Sequence, residues 1–140
     1  MKKVVFACLH NAGRSQMAVA FFDSLADPRR ATAVSAGTRP GRRVHPEVVA
    51  AMKEVGIDLG GAKPKLLTEE MTERAALFVT MGCGEECPVV PGLAREDWEL
   101  PDPKGQPLER VREIRDEVRR RVLELVGKNG WGRVPGSSGR

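Results

Sequence analysis

The sequence predicts a single-domain α/β protein with an open, mostly parallel sheet of four strands and helices on both faces. Three observations support this fold class. An apolar run near the N-terminus is typical of a parallel strand that is buried on both sides. Strand-like and helix-like segments then alternate along the chain, as in sheets that helices cover on both faces. The 140 residues leave room for one core, which we place in residues 1–127.

The first predicted unit is a strand, a tight loop and a helix. Residues 3–8 form the strand, because every residue after Lys3 is apolar. Residues 9–13 form the loop. Apolar residues then recur at helical spacing until Asp27 and Pro28, which end the helix. This order is the start of a βαβ unit, whose next strand runs parallel to the first.

The middle of the chain predicts a second strand, two helices and a third strand. The second strand covers residues 31–36. Pro46 suits the first turn of a helix, and Gly56 is placed as the C-terminal cap of that helix. Thr68 is placed as the N-cap of a short helix whose first turn holds two glutamates. Residues 77–80 form the third predicted strand.

The last third of the chain predicts a fourth strand, a long helix and a tail. Residues 97–100 give a weaker strand signal than the other three segments. The helix covers residues 107–126 and has an apolar stripe that faces inward. Its solvent-facing side carries charged residues, among them Arg112, Arg115 and Arg119. Residues 128–140 are rich in glycine and serine, so we expect a flexible C-terminal tail there.

Charge and composition limit the classes of partner. The formal net charge is +4, but Lys128, Arg133 and Arg140 in the expected tail supply three of these charges. Aromatic residues make up only 4% of the chain and tyrosine is absent, which argues against nucleic-acid binding by base stacking. No apolar stretch approaches the roughly 20 residues of a membrane span. We therefore expect a cytoplasmic monomer with reduced thiols and with no nucleic-acid or membrane partner.

The segment from Cys8 to Ser15 predicts an oxyanion site at the end of the first strand. A five-residue loop between a buried strand and a helix directs backbone N–H groups into one concavity, at the positive end of the helix dipole. Arg14 can close over a bound anion with two parallel N–H bonds. Gly13 permits a positive φ, and Asn11 tolerates one. The predicted oxyanion-binding residues are Leu9, His10, Asn11, Ala12, Gly13 and Arg14.

Cys8 is the predicted nucleophile. It lies at the floor of this concavity, where the N–H groups and Arg14 favour the thiolate over the thiol. The Ser15 hydroxyl is placed to donate a hydrogen bond to the sulfur. The alternative is a small buried core residue that closes a strand, which is a common role for a free cysteine. A core cysteine has no use for an oxyanion site, so the catalytic role is favoured.

The string from Cys8 to Ser15 resembles the anion loop of low-molecular-weight protein tyrosine phosphatases. It resembles more closely the same loop in thioredoxin-coupled arsenate reductases, which are built on the same fold. The resemblance extends through residue 127. It includes four further strings and a dipeptide, namely Arg14-Ser15-Gln16-Met17-Ala18, Ser35-Ala36-Gly37, Gly56-Ile57-Asp58, Met81-Gly82-Cys83-Gly84 and Asp102-Pro103.

The resemblance implies a role for Asp102, which precedes Pro103 in a loop after the fourth strand. Such a loop lies at the same sheet edge as Cys8, and an acid there can protonate an oxygen that leaves the oxyanion. A lone Asp before Pro is most often a turn residue. In both related groups, however, this Asp-Pro holds the general acid, so the resemblance implies the same role for Asp102.

The resemblance to the reductases also implies a thiol relay. Cys8 attacks arsenate, Cys83 is the resolving thiol that displaces arsenite, and Cys87 takes over the disulfide and presents it to thioredoxin. Only three residues separate Cys83 from Cys87, fewer than in the best-known members. Helix positions four apart hold their Cβ atoms about 5–6 Å apart, farther than a disulfide allows. We therefore expect a loop there, or a segment that loosens on oxidation.

Two other functions are compatible with these residues. One is a low-molecular-weight protein tyrosine or acid phosphatase that forms a cysteinyl-phosphate intermediate, in which Cys83 and Cys87 are incidental. The other is a non-catalytic module for oxyanion binding or thiol sensing, which leaves Asp102 without a role. The absence of tyrosine favours a small oxyanion, arsenate or phosphate, over a phosphotyrosine peptide.

We expect no required metal and no cofactor. A single cysteine pair and two histidines do not provide a second ligand pair at zinc spacing. Val19 stands where some of the reductases carry an acidic residue that helps to bind potassium near Asn11 and Ser35.

Overall fold

Four parallel strands form one sheet in the computed structural model, which describes residues 1–133. The strands are β1 (Lys2–Cys8), β2 (Ala31–Gly37), β3 (Leu77–Thr80) and β4 (Ala94–Asp97), in the spatial order β2-β1-β3-β4. β1 pairs with β2 along its whole length, so that Cys8 lies opposite Gly37. All three strand pairs are parallel. The predicted fold class is therefore confirmed, and the described sheet is entirely parallel.

Helices cover both faces of this sheet. They are α1 (Arg14–Leu25), α2 (Pro46–Lys53), α3 (Glu69–Glu73) and α4 (Leu108–Lys128). α1 and α2 pack with α4, and α3 lies apart from these three. Thr68 caps α3 as predicted, because its Oγ1 accepts a hydrogen bond from the Met71 N–H. Among the residues that the structure describes, no helix is long and apolar enough to cross a membrane.

The two faces of β1 contribute to separate apolar clusters. Val4 and Phe6 point into the larger cluster, which α1, α2 and α4 cover. The Phe6 ring contacts the rings of Phe22 and Trp98, with centroids 6.0 and 5.7 Å away. Val5 and the other side chains on the opposite face of β1 pack with β3 in the smaller cluster, which lies under α3. This burial on both faces is why the first strand is a continuous apolar run.

The fourth strand lies three residues earlier than predicted. The prediction placed it at residues 97–100, whereas β4 is Ala94–Asp97. β4 is an edge strand with a mainly exposed, charged sequence, so it lacks the apolar pattern that marks a buried strand. Trp98 and Leu100, which are buried, follow the strand and pack on the larger cluster.

The C-terminal segment begins as ordered structure, which corrects the expectation of a tail from residue 128. Lys128 is the last residue of α4. Trp131 donates its backbone N–H to the Val126 carbonyl (3.0 Å), and its own carbonyl accepts the Asp27 N–H (2.8 Å). Its ring packs edge-on against Phe22, with centroids 6.1 Å apart. Residues 134–140 of the expected tail lie outside the described residues.

Arg115 is buried, although its position in the helical pattern predicted exposure. Its side chain lies between α4 and the end of α2, where Nη1 donates to the Ala51 carbonyl and to Glu54 Oε1, both at 2.9 Å. Arg112 Nη2 donates to the other oxygen of Glu54 at 2.6 Å. Hydrogen bonding by Arg112, aided by Arg115 and opposed by burial, lowers the pKa of Glu54 to about 2. This carboxylate therefore joins the two helices.

We predict that Glu54→Gln destabilises the protein at neutral pH and that the deficit shrinks in acid. A carboxylate whose pKa is lower in the folded state adds stability above its unfolded pKa and loses it as the pH falls through the folded value. The difference in urea midpoint between wild type and Glu54→Gln should therefore narrow from about pH 5 to about pH 3. Glu113→Gln, which removes an exposed pair with Arg110, is the control. An equal deficit at both pH values would contradict the prediction.

Candidate active site

The loop between β1 and α1 is held by a second segment that follows β2. The carbonyls of Leu9, His10 and Ala12 accept hydrogen bonds from the backbone N–H groups of Arg39 (2.8 Å), Gly41 (2.9 Å) and His45 (2.9 Å). These contacts turn the loop carbonyls away from the loop interior. Within residues 1–133, the N–H groups of residues 9, 10, 12, 13 and 14 have no protein acceptor. They are therefore free to bind an oxyanion.

The sharp turn in this loop occurs at Asn11, not at Gly13. Asn11 has a φ of 51°, whereas Gly13 has a φ of −146°. Asparagine is one of the few residues that tolerate a positive φ, because its side chain can bond locally. Gly13 is required for a different reason, since a Cβ there would lie 2.8 Å from Cγ of Pro103. The loop thus touches the segment that carries Asp102.

A chain of hydrogen bonds leads to the sulfur of Cys8, which is 2% exposed. The Lys65 N–H donates to Asn11 Oδ1 (2.9 Å), which fixes the orientation of the Asn11 amide. Asn11 Nδ2 then donates to Ser15 Oγ (2.7 Å), and Ser15 Oγ lies 2.8 Å from Cys8 Sγ. Because Ser15 already accepts one bond, its own hydrogen is available to the sulfur. The Asn11 N–H also donates to Cys8 Sγ at 3.2 Å.

Two hydrogen-bond donors therefore meet at the Cys8 sulfur, the atom that acts as the nucleophile in a reactive cysteine. Gln16 supports the same arrangement, because its Nε2 donates to both the carbonyl and Oδ1 of Asn11 (3.1 and 3.2 Å). The contributions of Gln16 and Lys65 are not predicted from the sequence. Gln16 stands within a string that carries the family resemblance, whereas nothing in the sequence marks the Lys65 backbone.

Arg14 lies beside the loop and is almost fully buried. Its Nη1 donates to the Leu100 carbonyl at 3.0 Å. Gly82, with a φ of +99°, packs its backbone against the guanidinium, so that a Cβ at this position would overlap Nη1. The segments after β3 and β4 therefore position the arginine from two sides. The sequence showed Gly82 only as part of a resembling string, and the Leu100 carbonyl gave no signal.

Asp102 faces Arg14 from the loop after β4. Its Oδ2 lies 3.8 Å from Arg14 Nη2, and its side chain is 47% exposed. Oδ1 accepts a hydrogen bond from the Lys104 N–H (3.0 Å), which is a turn contact typical of aspartate. The structure thus brings a carboxyl group to the mouth of the loop, beside the arginine.

Cys83 and Cys87 are joined by a disulfide, and Cys8 is free. A 3₁₀ turn (Gly84–Glu86) separates the paired cysteines and brings their Cα atoms within 5.3 Å, which is an ordinary spacing for a disulfide. Both residues are 5% exposed. Cys83 directly follows Gly82, whose backbone touches Arg14, so the disulfide starts next to the oxyanion loop. Among residues 1–133, no group of three His, Cys, Asp or Glu side chains could hold a metal ion.

The turn between the two cysteines is tied to the loop region by an ion pair. Glu86 Oε1 lies 2.6 Å from Arg39 Nε. Arg39 belongs to the segment that holds the oxyanion loop, because its N–H donates to the Leu9 carbonyl. The pair is largely exposed, and exposed pairs contribute at most about 1 kcal/mol.

Comparison with known proteins gives one family and a consistent set of relatives. Residues 3–130 match the family described as low molecular weight phosphotyrosine protein phosphatase. The glutaredoxin arsenate reductase of Synechocystis sp. is 38% identical over 131 residues, which is 91% of this chain and 98% of that protein.

Two solved structures are similar to the structure of this chain. One, described as an arsenate reductase in the phosphate binding state, has a TM-score of 0.79 and 36% identity over 91% of this chain and 98% of its own. The other is a thioredoxin-dependent arsenate reductase from Corynebacterium glutamicum, with a TM-score of 0.78 and 37% identity over 91% of this chain. This chain spans only 61% of the Corynebacterium chain.

We predict that Gly82→Ala weakens the binding of inorganic phosphate by about tenfold or more, because the new methyl group displaces Arg14 and its charge-assisted hydrogen bonds. Gly92→Ala is the matched control. Gly92 also has a positive φ, +81°, but nothing lies within 4 Å of a Cβ at that position. Both variants share the backbone strain, and only the first has the clash. Equal phosphate affinities of the two variants in titration calorimetry would contradict the assigned role of Gly82.

Proposed function

Because the chain belongs to the low molecular weight phosphotyrosine protein phosphatase family, we propose that it reduces arsenate to arsenite with a cysteine nucleophile and an internal disulfide relay. The observation that supports reduction over hydrolysis is the disulfide between Cys83 and Cys87, which begins beside Arg14. A phosphatase needs water to release its intermediate and has no use for a second thiol. The arsenate reductases among the similar proteins support the same choice.

In the first step the oxyanion loop and Arg14 bind arsenate, and the Cys8 thiolate attacks arsenic. A sulfur–arsenic bond forms while an arsenic–oxygen bond breaks. Asp102 donates a proton to the departing oxygen, which leaves as water. The free N–H groups of the loop and the guanidinium of Arg14 stabilise the negative charge on the remaining oxygens.

In the second step the Cys83 thiolate attacks the sulfur of Cys8. A disulfide forms between the two, and the electron pair of the sulfur–arsenic bond passes to arsenic. Arsenic is thereby reduced from the +5 to the +3 state and leaves as arsenite. The two thiols supply both electrons, so the reaction balances without a cofactor.

In the third step Cys87 attacks Cys83, which releases Cys8 as a thiolate and leaves the disulfide between Cys83 and Cys87. An external dithiol must then reduce this bond, and we propose thioredoxin for this step. The name of the Corynebacterium enzyme supports thioredoxin, and that of the Synechocystis enzyme gives glutaredoxin as the alternative. Both sulfurs are buried, so the turn Gly84–Glu86 must open before a partner can reach them.

We propose that the protein works in the cytoplasm, because a disulfide relay that is reset by thioredoxin needs a reducing compartment. We propose that it acts as a monomer, since every residue of the relay comes from one chain. We also propose that the reaction needs no metal and no bound cofactor.

The relay predicts different numbers of turnovers for two serine variants. With thioredoxin, its reductase and NADPH, Cys83→Ser should release no arsenite, because its arsenic adduct cannot be resolved. Cys87→Ser should release at most one equivalent per enzyme and then stop, because its Cys8–Cys83 disulfide is not handed on. Arsenite release is measured by chromatography over several turnovers. Turnover of both variants at the wild-type rate would contradict the relay. A parallel assay in which glutaredoxin replaces thioredoxin identifies the reductant.

The same set of variants tests hydrolysis as the alternative. If wild type forms no arsenite but hydrolyses p-nitrophenyl phosphate, and if only Cys8→Ser abolishes that hydrolysis, the protein is a phosphatase that forms a cysteinyl-phosphate. Arsenite formation that depends on Cys83 excludes this result as the main activity.

We predict that Asp102→Asn lowers kcat for arsenite formation about 100-fold, which is the usual contribution of a general acid. Affinity for phosphate should hold or rise, because a negative charge beside Arg14 is removed. Asp58→Asn is the matched control, since Asp58 also accepts an N–H two residues later, from Gly60. Asparagine preserves this turn contact in both variants. A similar kcat for the two variants would exclude Asp102 as the acid.

A further inference from the structure

A cavity of about 400 Å³ opens beside the oxyanion loop. It shares His10 and Ala12 with the loop, and Lys104 on its far side lies two residues after Asp102. The rest of the lining comes from residues 39–43 and His45, the same segment that holds the loop carbonyls. The cavity is therefore built from the elements that form the oxyanion loop, but its lining includes neither Cys8 nor Arg14.

This cavity carries an excess of positive charge. Arg39 is paired with Glu86, but Arg42, Arg43 and Lys104 form no ion pair within residues 1–133. His45 does not add to this charge, because burial lowers its pKa below the ordinary value against opposing effects of Glu47 and Asp102. Three cations without partners thus line one cavity. Like charges gathered in this way raise the local concentration of anions.

An oxyanion in the loop would not account for these cations. A tetrahedral oxyanion is satisfied by the loop N–H groups and Arg14, and the cavity beyond offers much more space than one such ion needs. Among the described residues that line the cavity, none is Phe, Tyr or Trp, and the apolar side chains, those of Ala12 and Pro40, are small. Four of the nine lining residues are arginine or lysine. A carboxylate or a second phosphate would meet arginines, which bind such groups with paired hydrogen bonds.

We propose that the cavity is a subsite for a second anionic group on the organic part of a phosphomonoester whose phosphate occupies the oxyanion loop. The inference rests on the oxyanion site of the proposed function, but it does not depend on arsenate reduction. It extends the range of ligands from free oxyanions to monoesters that carry a further negative charge. Arg42, Arg43 and Lys104 are the residues that would select them.

Three non-hydrolysable probes separate the second charge from size. They are benzylphosphonate, 4-carboxybenzylphosphonate and its neutral isostere 4-carbamoylbenzylphosphonate, each titrated into the reduced protein by calorimetry. Wild type should bind the carboxylate about five- to tenfold more tightly than benzylphosphonate, as expected for one charge-assisted contact at a partly exposed site. The carbamoyl probe should show no such gain.

The variant with Arg42→Ala and Arg43→Ala should lose this preference, so that the ratio of the two dissociation constants falls to about one. The control carries Arg119→Ala and Arg120→Ala, which remove two adjacent charges from an exposed face of α4, and it should keep the wild-type ratio. Lys104→Ala should reduce the ratio partly.

Each other outcome overturns the subsite. A wild-type ratio near one means that no second group is bound. If the Arg42 and Arg43 substitutions weaken the binding of all three probes equally, these arginines attract anions in general and do not bind the second group. Failure of wild type to bind inorganic phosphate removes the oxyanion site and the proposed function with it. Binding with the predicted preference, together with no arsenite formation, supports the subsite and overturns only the reduction.

Discussion

The parallel pairing of β1 with β2 is the constraint on which the site depends. It sets Cys8 opposite Gly37, so the chain that leaves β2 runs beside the loop that leaves β1. A Cβ at Gly37 would lie 2.8 Å from the Leu9 carbonyl oxygen, so only glycine permits this close approach. The N–H groups of the segment after Gly37 then donate to the loop carbonyls, so the N–H groups of the loop remain available to an anion. A one-residue shift in this register would disrupt these contacts without changing any residue of the loop.

The segments that follow β3 and β4 meet at the guanidinium of Arg14. The sequence after β3 reaches it through Gly82, and the sequence after β4 reaches it through the Leu100 carbonyl and Asp102. A parallel sheet gathers the carboxyl ends of its strands at one edge, so segments far apart in sequence converge there. The loop that follows Cys8, the Asp102 carboxyl group and the disulfide of Cys83 therefore all lie near the guanidinium of Arg14.

The parts of the site that were predictable from sequence are those that are local in the chain. Cys8 and Arg14 flank one short loop between a buried strand and a helix, and this local context predicts that they belong to one site. Asp102 and the cysteine pair needed the family resemblance, because no local pattern links them to that loop. β4 was misplaced because an exposed, charged edge strand carries no apolar signal. Arg115 was misassigned for a related reason, since its partner Glu54 lies 61 residues away and helical spacing does not report distant contacts.

Trp131 determines how far the C-terminus can be shortened without loss of contacts to the core. Its backbone exchanges hydrogen bonds with Asp27 and Val126, and its ring covers Phe22, a fully buried residue of the larger cluster. A chain trimmed after residue 127 would leave the Asp27 N–H without its acceptor and expose part of the Phe22 ring to water. The contacts between the C-terminal segment and the rest of the fold therefore extend through Gly132, which bridges to Ala26 at the end of α1. Fusion partners and affinity tags belong beyond that point.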